Sequence, residues 1–304
     1  MIERSAVGAP ARLINLLRCP GDASPLISPQ NSDRIFDGEL KCSYCGRVYP
    51  VEHGIVRMLD TTALSAEDVH EIDYRDQYVS EQEERAWEES YSCRLEIPQH
   101  LSALQLGRDS VLLEIGCGRG RFTRLLAPKC SAIVGVDFSL QSLRFLADRL
   151  DLNTNVLLVH ADATKVRVAP RAFTRAFSTT PLDLREQRMA VHRLVSDALA
   201  DNGRWVFGVE RYNLRHKLRN QPRVLRYEDD GSGSIYFRML RHEVEREAHP
   251  YFEKVNCHAI QVRLPFVKSV LLGRIAEHLP ILRDLGHLWL LTAERPIREL
   301  TLEG

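Results

Sequence analysis

No apolar run among the 304 residues approaches the ~18 that a membrane-spanning helix needs. The start of the chain holds Glu3 and Arg4 and lacks the apolar core of a secretory signal. A cytoplasmic protein is the expectation from both absences. Net charge is lacking too, since 41 basic and 41 acidic side chains cancel. The seven cysteines are an odd number, which argues against a set of paired disulfides. Internal repeats and low-complexity tracts are missing. With 44% hydrophobic and 27% charged residues, collagen-like and bulk-disordered classes are excluded. The length suits about two domains with a real core.

The zero balance hides a split. Residues 1–110 hold 11 basic and 19 acidic side chains, and residues 111–304 hold 30 and 22. An acidic head therefore precedes a mildly basic body. That excess is weaker than the clustered one on which nucleic-acid binders usually rely.

By texture the chain divides into a cysteine-bearing head (1–60), a polar acidic stretch (61–98) and an α/β body (99–304). Residues 80–89 lack glycine and proline and read as an exposed helix, with Ile97-Pro98 as a breaker. Residues 99–106 read as a short helix stopped by Gly107. From Ser110, short apolar runs at 111–115, 132–136 and 156–159 read as buried strands, with 173–178 as a candidate fourth strand and 204–209 as a fifth. Helical segments at 122–127, 140–150 and 187–200 lie between them. This alternation predicts an α/β fold with a doubly wound parallel sheet. Past Glu210 the pattern thins. Segments 240–247 and 271–278 read as helices, and 287–292 as a last buried strand.

The sharpest motif is Glu114-Ile-Gly116-Cys117-Gly118-Arg-Gly120, straight after a strand and ahead of a helix. Glycines let the backbone turn tightly and approach a ligand closely. The helix start adds unpaired N–H groups. Asp137 ends the second strand in Val-Gly-Val-Asp-Phe-Ser, where a carboxylate can accept bonds from a ribose diol. Asp162 ends the third strand in His-Ala-Asp-Ala. A nicotinamide-binding loop would read G-x-G-x-x-G, whereas these glycines run G-x-G-x-G.

These motifs resemble those of class I S-adenosylmethionine-dependent methyltransferases, with a Rossmann-like sheet. The resemblance implies that Gly116, Gly118 and Gly120 line the methionine end and that Asp137 holds the ribose. It further implies that Asp162 with Ala163 contacts adenine and that Phe138 packs on its face. Glu114, Cys117 and Ser178 complete the implied cofactor set, with Cys117 read as packed and not nucleophilic. After the fourth strand this sequence has Phe-Ser-Thr-Thr-Pro-Leu-Asp183, without the family's usual histidine and without an Asp-Pro-Pro-Tyr motif. Asp183 and Tyr212 are the candidate catalytic groups; a helix cap and a packed lid aromatic are their plain alternatives.

Cys19-Pro-Gly-Asp22 and Cys42-Ser-Tyr-Cys45 are two tight turns with nineteen residues between them. They resemble the knuckles of a short zinc-ribbon family found at the head of bacterial ribosomal-RNA guanine methyltransferases and as the activator subunit of some eukaryotic ones. In the first knuckle Asp22 replaces a cysteine. Aspartate also ligates zinc, so Cys19, Asp22, Cys42 and Cys45 form the expected metal set, with His53 as a backup.

The functional expectation is methyl transfer to a small-molecule acceptor. RNA is the second acceptor, supported by the ribbon and by Arg211, Arg215, Lys217, Arg219, Arg223 and Arg226. A non-catalytic scaffold is the alternative class. The aromatic-bearing segment 74–91 is expected to be either a lid over the cofactor or a linker.

Overall fold

The structure, a computed structural model, describes residues 7–77, 90–152, 154–179, 185–226, 235–263, 269–279, 282 and 285–298. The head contributes β1 (Leu26–Ile27), β2 (Gly38–Cys42), β3 (Val48–Glu52) and β4 (Ile55–Arg57). Helices α1 (Ala66–Gln77) and α2 (Tyr91–Leu104) follow. The body then supplies β5 (Val111–Ile115), β6 (Ala132–Asp137), α3 (Leu140–Ala147), β7 (Val156–His160) and β8 (Phe173–Ser178). It ends with α4 (Arg185–Ala198), β9 (Leu199–Glu210), α5 (Arg241–Ala248), β10 (Phe252–Val262), α6 (Val270–His278) and β11 (Gly286–Pro296).

Among the described residues one sheet of eleven strands runs β10-β11-β9-β8-β5-β6-β7-β4-β3-β2-β1. Strands β5 to β9 are mutually parallel, and β10 and β11 are antiparallel to their neighbours. Strands β6 and β7 are buried throughout, which matches their unbroken apolar sequence, since parallel strands are covered on both faces. The strand order reverses between β5 and β8. In open α/β sheets the ligand crevice lies at such a switch point, beyond the strand carboxyl ends.

The head adds to the same sheet. Strand β4 pairs parallel with β7, with Ile55 opposite Leu158 and Arg57 opposite His160. Met58 N–H then donates to the His160 carbonyl at 2.8 Å and extends the ladder. The edge of β7, which would otherwise expose unpaired backbone groups, is thereby closed.

Two sequence readings change. Pro98 does not break a helix; it lies inside α2, which starts at the Ser90 cap. Proline in a helix interior sacrifices a backbone hydrogen bond. Here burial of Leu95, Glu96, His100 and Leu104 along α2 holds the helix together. Strand β10 was not foreseen, because Glu253, Lys254 and Asn256 give its first half a polar texture.

Candidate functional site

The loop after β5 places all three glycines at positive φ: Gly116 at 71°, Gly118 at 51° and Gly120 at 83°. Their environments differ. A Cβ on Gly120 would lie 2.2 Å from Leu146 Cδ1, so this glycine lets the loop pack on α3. A Cβ on Gly118 would meet only Asp137 Oδ2, at 3.9 Å. That open side is the approach a bound cofactor needs. Asp137 Oδ2 accepts the Gly118 N–H at 2.7 Å, and Oδ1 accepts the Ser139 N–H at 2.9 Å. The residue read as the ribose ligand thus also fixes the glycine loop.

Glu114 is buried beneath the loop and accepts from the Thr123 hydroxyl at 2.8 Å. Burial, reinforced by the Asp137 charge and opposed by the Thr123 bond, pushes its carboxyl up to about 8. Cys117 is buried with its thiol pushed up by desolvation, consistent with a packed residue. Asp162 turns into its own loop: Oδ1 accepts from Thr164 N and Oγ1 at 2.8 and 2.7 Å, and Oδ2 pairs with Lys165 at 3.2 Å. Ala163 and Phe138 are half-buried beside it, and Ser178 is buried at the end of β8.

A polar relay joins the head to this site. Arg57, at the end of β4, is salt-bridged to Glu52 and donates through Nε to His160 Nδ1 at 3.0 Å. His160 Nε2 stands 3.1 Å from the Phe138 carbonyl. Arginine only donates and a carbonyl only accepts, so the ring is neutral with its proton on Nε2. Burial, then Arg57, lowers its pKa to about 4, in keeping with that state. Arg57→Ala should leave His160 without its donor and loosen the backbone at Phe138. Cofactor affinity measured by calorimetry should fall about tenfold. Unchanged affinity would mean the relay is only structural glue.

On the β8 side of the glycine loop, α2 brings in groups the sequence reading missed. Arg121 donates to Thr179 Oγ1 at 2.8 Å and pairs with Glu96 at 3.4 Å. Gln261 Nε2 reaches the other Glu96 oxygen at 3.5 Å. Glu96 is nearly fully buried, and desolvation raises its pKa despite Arg121 and Arg263. His100 stacks edge-on against Phe122 and Phe177, and its Nε2 has no hydrogen-bond partner among the described residues. The spacing of Glu96 and His100, one helical turn, was the available signal; the assumed break at Pro98 concealed it.

Asp183 lies outside the described residues. Tyr212 donates to the Gln221 carbonyl at 3.2 Å and stacks on His216, a geometry that favours packing over acceptor positioning. In the basic cluster, Arg211 is buried against the Trp289 ring and Arg223 pairs with Glu243. Arg215, Lys217 and Arg219 are exposed, and the Arg226 side chain lies outside the described residues. Residues 78–89 of the expected lid also lie outside them. Just before, Asp76 of α1 bonds the Ser139 hydroxyl next to the cofactor loop.

In the head, the ligand atoms of Cys19, Asp22, Cys42 and Cys45 lie within 4.8 Å of one another. Zinc held by thiolates at ~2.3 Å in a tetrahedron spaces the sulfurs by about 3.7 Å. Cys19 and Cys45 stand 3.7 Å apart, and Cys42 lies 3.4 Å from the Asp22 oxygens. The four donors therefore fit a closed tetrahedral site. His53 is exposed in a left-handed turn (φ 50°), its N–H bonded to Asp37, and is not part of the cluster.

The parallel sheet with its antiparallel strand pair, glycine loop and strand-end carboxylates define the S-adenosylmethionine-dependent methyltransferase class of fold. Residues 112–203 match the model of a family described as a methyltransferase domain, and residues 11–54 match the Trm112p-like protein family. The first match lies in the body and the second in the head. A protein of Methanosarcina barkeri, described as a probable ribosomal RNA small subunit methyltransferase A, is 36% identical over 66 residues. That segment is 22% of this chain and 23% of the relative. The chain spans about a quarter to a third of the length of the curated relatives it matches. Among solved structures, an S-adenosylmethionine-dependent methyltransferase from Mesorhizobium loti aligns with TM-score 0.51 and 16% identity, covering 69% of this chain and 100% of that one. A chain from a complex of Haloferax volcanii, described as that between the Trm112 methyltransferase activator and the putative methyltransferase, aligns with TM-score 0.55 and 11% identity, covering 75% and 98%. These likenesses concern the fold. No helix among the described residues is long and apolar enough to cross a membrane.

Proposed function

We propose that this chain is an S-adenosylmethionine-dependent methyltransferase acting on RNA, with a zinc-bearing Trm112p-like head built into the same polypeptide. The observation that carries the reading is the cradle between Gly118 and Asp137 at the sheet's switch point. The open side of Gly118 and the carboxylate beside it suit a nucleoside-bearing cofactor. Bound S-adenosylmethionine supplies an electrophilic methyl group on a sulfonium. Within this reading, Gly116, Gly118 and Gly120 hold the methionine end, Asp137 accepts the ribose hydroxyls, and Phe138, Asp162 and Ala163 border the adenine. The protein's part is proximity and orientation. Glu96, Arg121 and Thr179 border the acceptor from α2, the glycine loop and the end of β8.

The small-molecule acceptor expected from the sequence finds no support. The curated relatives are described as ribosomal RNA methyltransferases, which favours RNA. By the same reading, residues 1–60 are the ribbon, 61–98 a connecting or covering segment and 99–304 the catalytic body. Incubation with methyl-labelled S-adenosylmethionine, ribosomal and transfer RNA transcripts and a cell-extract small-molecule fraction tests the acceptor. Label should enter RNA and be lost in Asp137→Ala. Label confined to the small-molecule fraction would overturn the RNA reading, and no binding of S-adenosylmethionine would favour a scaffold.

A further inference from the structure

A cavity of about 690 Å³ opens where the head meets the body. One wall is the head's: Gly21 of the first knuckle, then Arg47, Val48 and Pro50 at the start of β3. The other belongs to the body: Asp162, Lys165 and Arg167, in the loop after β7. Arg57 and Met58, at the end of β4, form the floor. All of these groups stand at the carboxyl-end edge of the sheet, on the side of the cofactor loop away from the acceptor strands β8 and β9.

The charges are unequal in their commitments. Arg57 is held by Glu52 and His160, and Lys165 by Asp162. Arg47 and Arg167 are exposed, one from each wall, and neither forms an ion pair with a carboxylate among the described residues, although Arg47 hydrogen-bonds the Tyr49 side chain and lies in the field of Cys19, Cys45 and Asp60. Between them the head wall presents the exposed side chains of Val48 and Pro50. A groove lined with cations is the arrangement that tracks the phosphates of single-stranded nucleic acid; here the aliphatic faces of Val48 and Pro50 stand in place of the aromatic rings on which its bases stack. The volume falls in the range of small-ligand sites, enough for a nucleotide.

We infer that this seam is a binding site for the phosphodiester backbone of single-stranded RNA, gripped by Arg47 of the head and Arg167 of the body. The inference rests on the RNA reading above and adds where the substrate is held. A site shared by two covalently joined units gives the head a direct part in substrate binding. It also places the RNA beside the cofactor's adenine edge and not over it. RNA held here can continue along the same edge toward the exposed Arg215, Lys217 and Arg219 after β9, five strand spacings or about 24 Å from β4.

The test is fluorescence anisotropy of a labelled short single-stranded RNA with the full chain, across a salt series, for wild type and R47A/R167A. The double variant should bind about tenfold more weakly. Its slope of log affinity against log salt should be shallower by about 1.4, two phosphate contacts at ~0.7 each. S-adenosylmethionine affinity should stay at the wild-type value. Equal RNA affinity and slope in both proteins would overturn the seam site and leave the RNA reading standing. Loss of S-adenosylmethionine binding in place of RNA binding would reassign the cavity to the cofactor. Displacement of RNA by inorganic phosphate or a mononucleotide at matched phosphate concentration would make it a site for free phosphate. A wild type that neither binds nor methylates RNA would remove the functional reading and this one together.

Discussion

Gly118→Val should lower affinity for S-adenosylmethionine by about a hundredfold or more while the protein stays folded. The side chain would project where only Asp137 Oδ2 stands, 3.9 Å from the new Cβ, so nothing in the protein itself is displaced. In the proposed reading the space it fills is the cofactor's. The backbone at φ 51° adds a conformational cost of about 1–2 kcal/mol, small against global stability. Gly120→Ala should behave in the opposite way. Its Cβ would overlap Leu146 Cδ1 at 2.2 Å, which pushes the loop off α3 and costs roughly 1–3 kcal/mol of folding stability. Asp137→Ala falls between the two. It loses the ribose contact and also the acceptor for Gly118 N–H, and affinity should drop by about one to two decades. Calorimetry with the cofactor and thermal unfolding of the three variants separate the cases. Equal melting loss in Gly118→Val and Gly120→Ala, with equal loss of affinity, would mean that Gly118 serves the fold and not the ligand.

How much of this was legible in the sequence depends on what each residue answers to. The glycine loop and Asp137 were readable because backbone geometry and a strand end impose them locally. Strands β6 and β7 were readable because double burial leaves an almost unbroken apolar run. The pairing of β4 with β7 was not. Ile55-Val-Arg57 is a three-residue strand with ordinary residues, and its partner lies about a hundred positions away. The relay from Arg57 through His160 to Phe138 depends on that register, so it was hidden with it. The ion pair of Glu96 and Arg121 was lost for a different reason. Proline was weighed as a local breaker, whereas the helix that carries Glu96 is held by tertiary burial. The metal set was legible because two knuckles bring their own four donors together within short turns, and only the choice between Asp22 and His53 needed the fold.

That choice sets the second expectation. Cys42→Ser should remove zinc almost completely, from about one ion per chain by elemental analysis, and should unfold the head. Cys42 ends β2 and is buried, and the knuckles hold β1, β2 and β3 in register. Structural zinc contributes on the order of 10 kcal/mol of apparent folding energy in small domains. Part of that will be buffered here, because Leu13, Leu17, Leu40, Tyr49 and Val51 give the head apolar contacts that continue into the body's core. The consequence should extend beyond the metal. Strand β4 caps the edge of β7, so an unfolded head exposes that edge and disconnects Arg57 from His160, and cofactor affinity should weaken along with zinc retention. Asp22 gives the sharper discrimination. Its carboxylate lies against the Cys42 thiol, and hydrogen bonding, led by Cys45, holds its pKa well below the usual carboxylate range. Asp22→Ala should lose a ligand and release zinc to a chelator faster, and Asp22→Cys should retain it longer, since thiolate suits this metal better than carboxylate. His53→Ala should change nothing, because its backbone turn points it elsewhere. Zinc retained by Asp22→Ala and lost by His53→Ala would reverse the assignment.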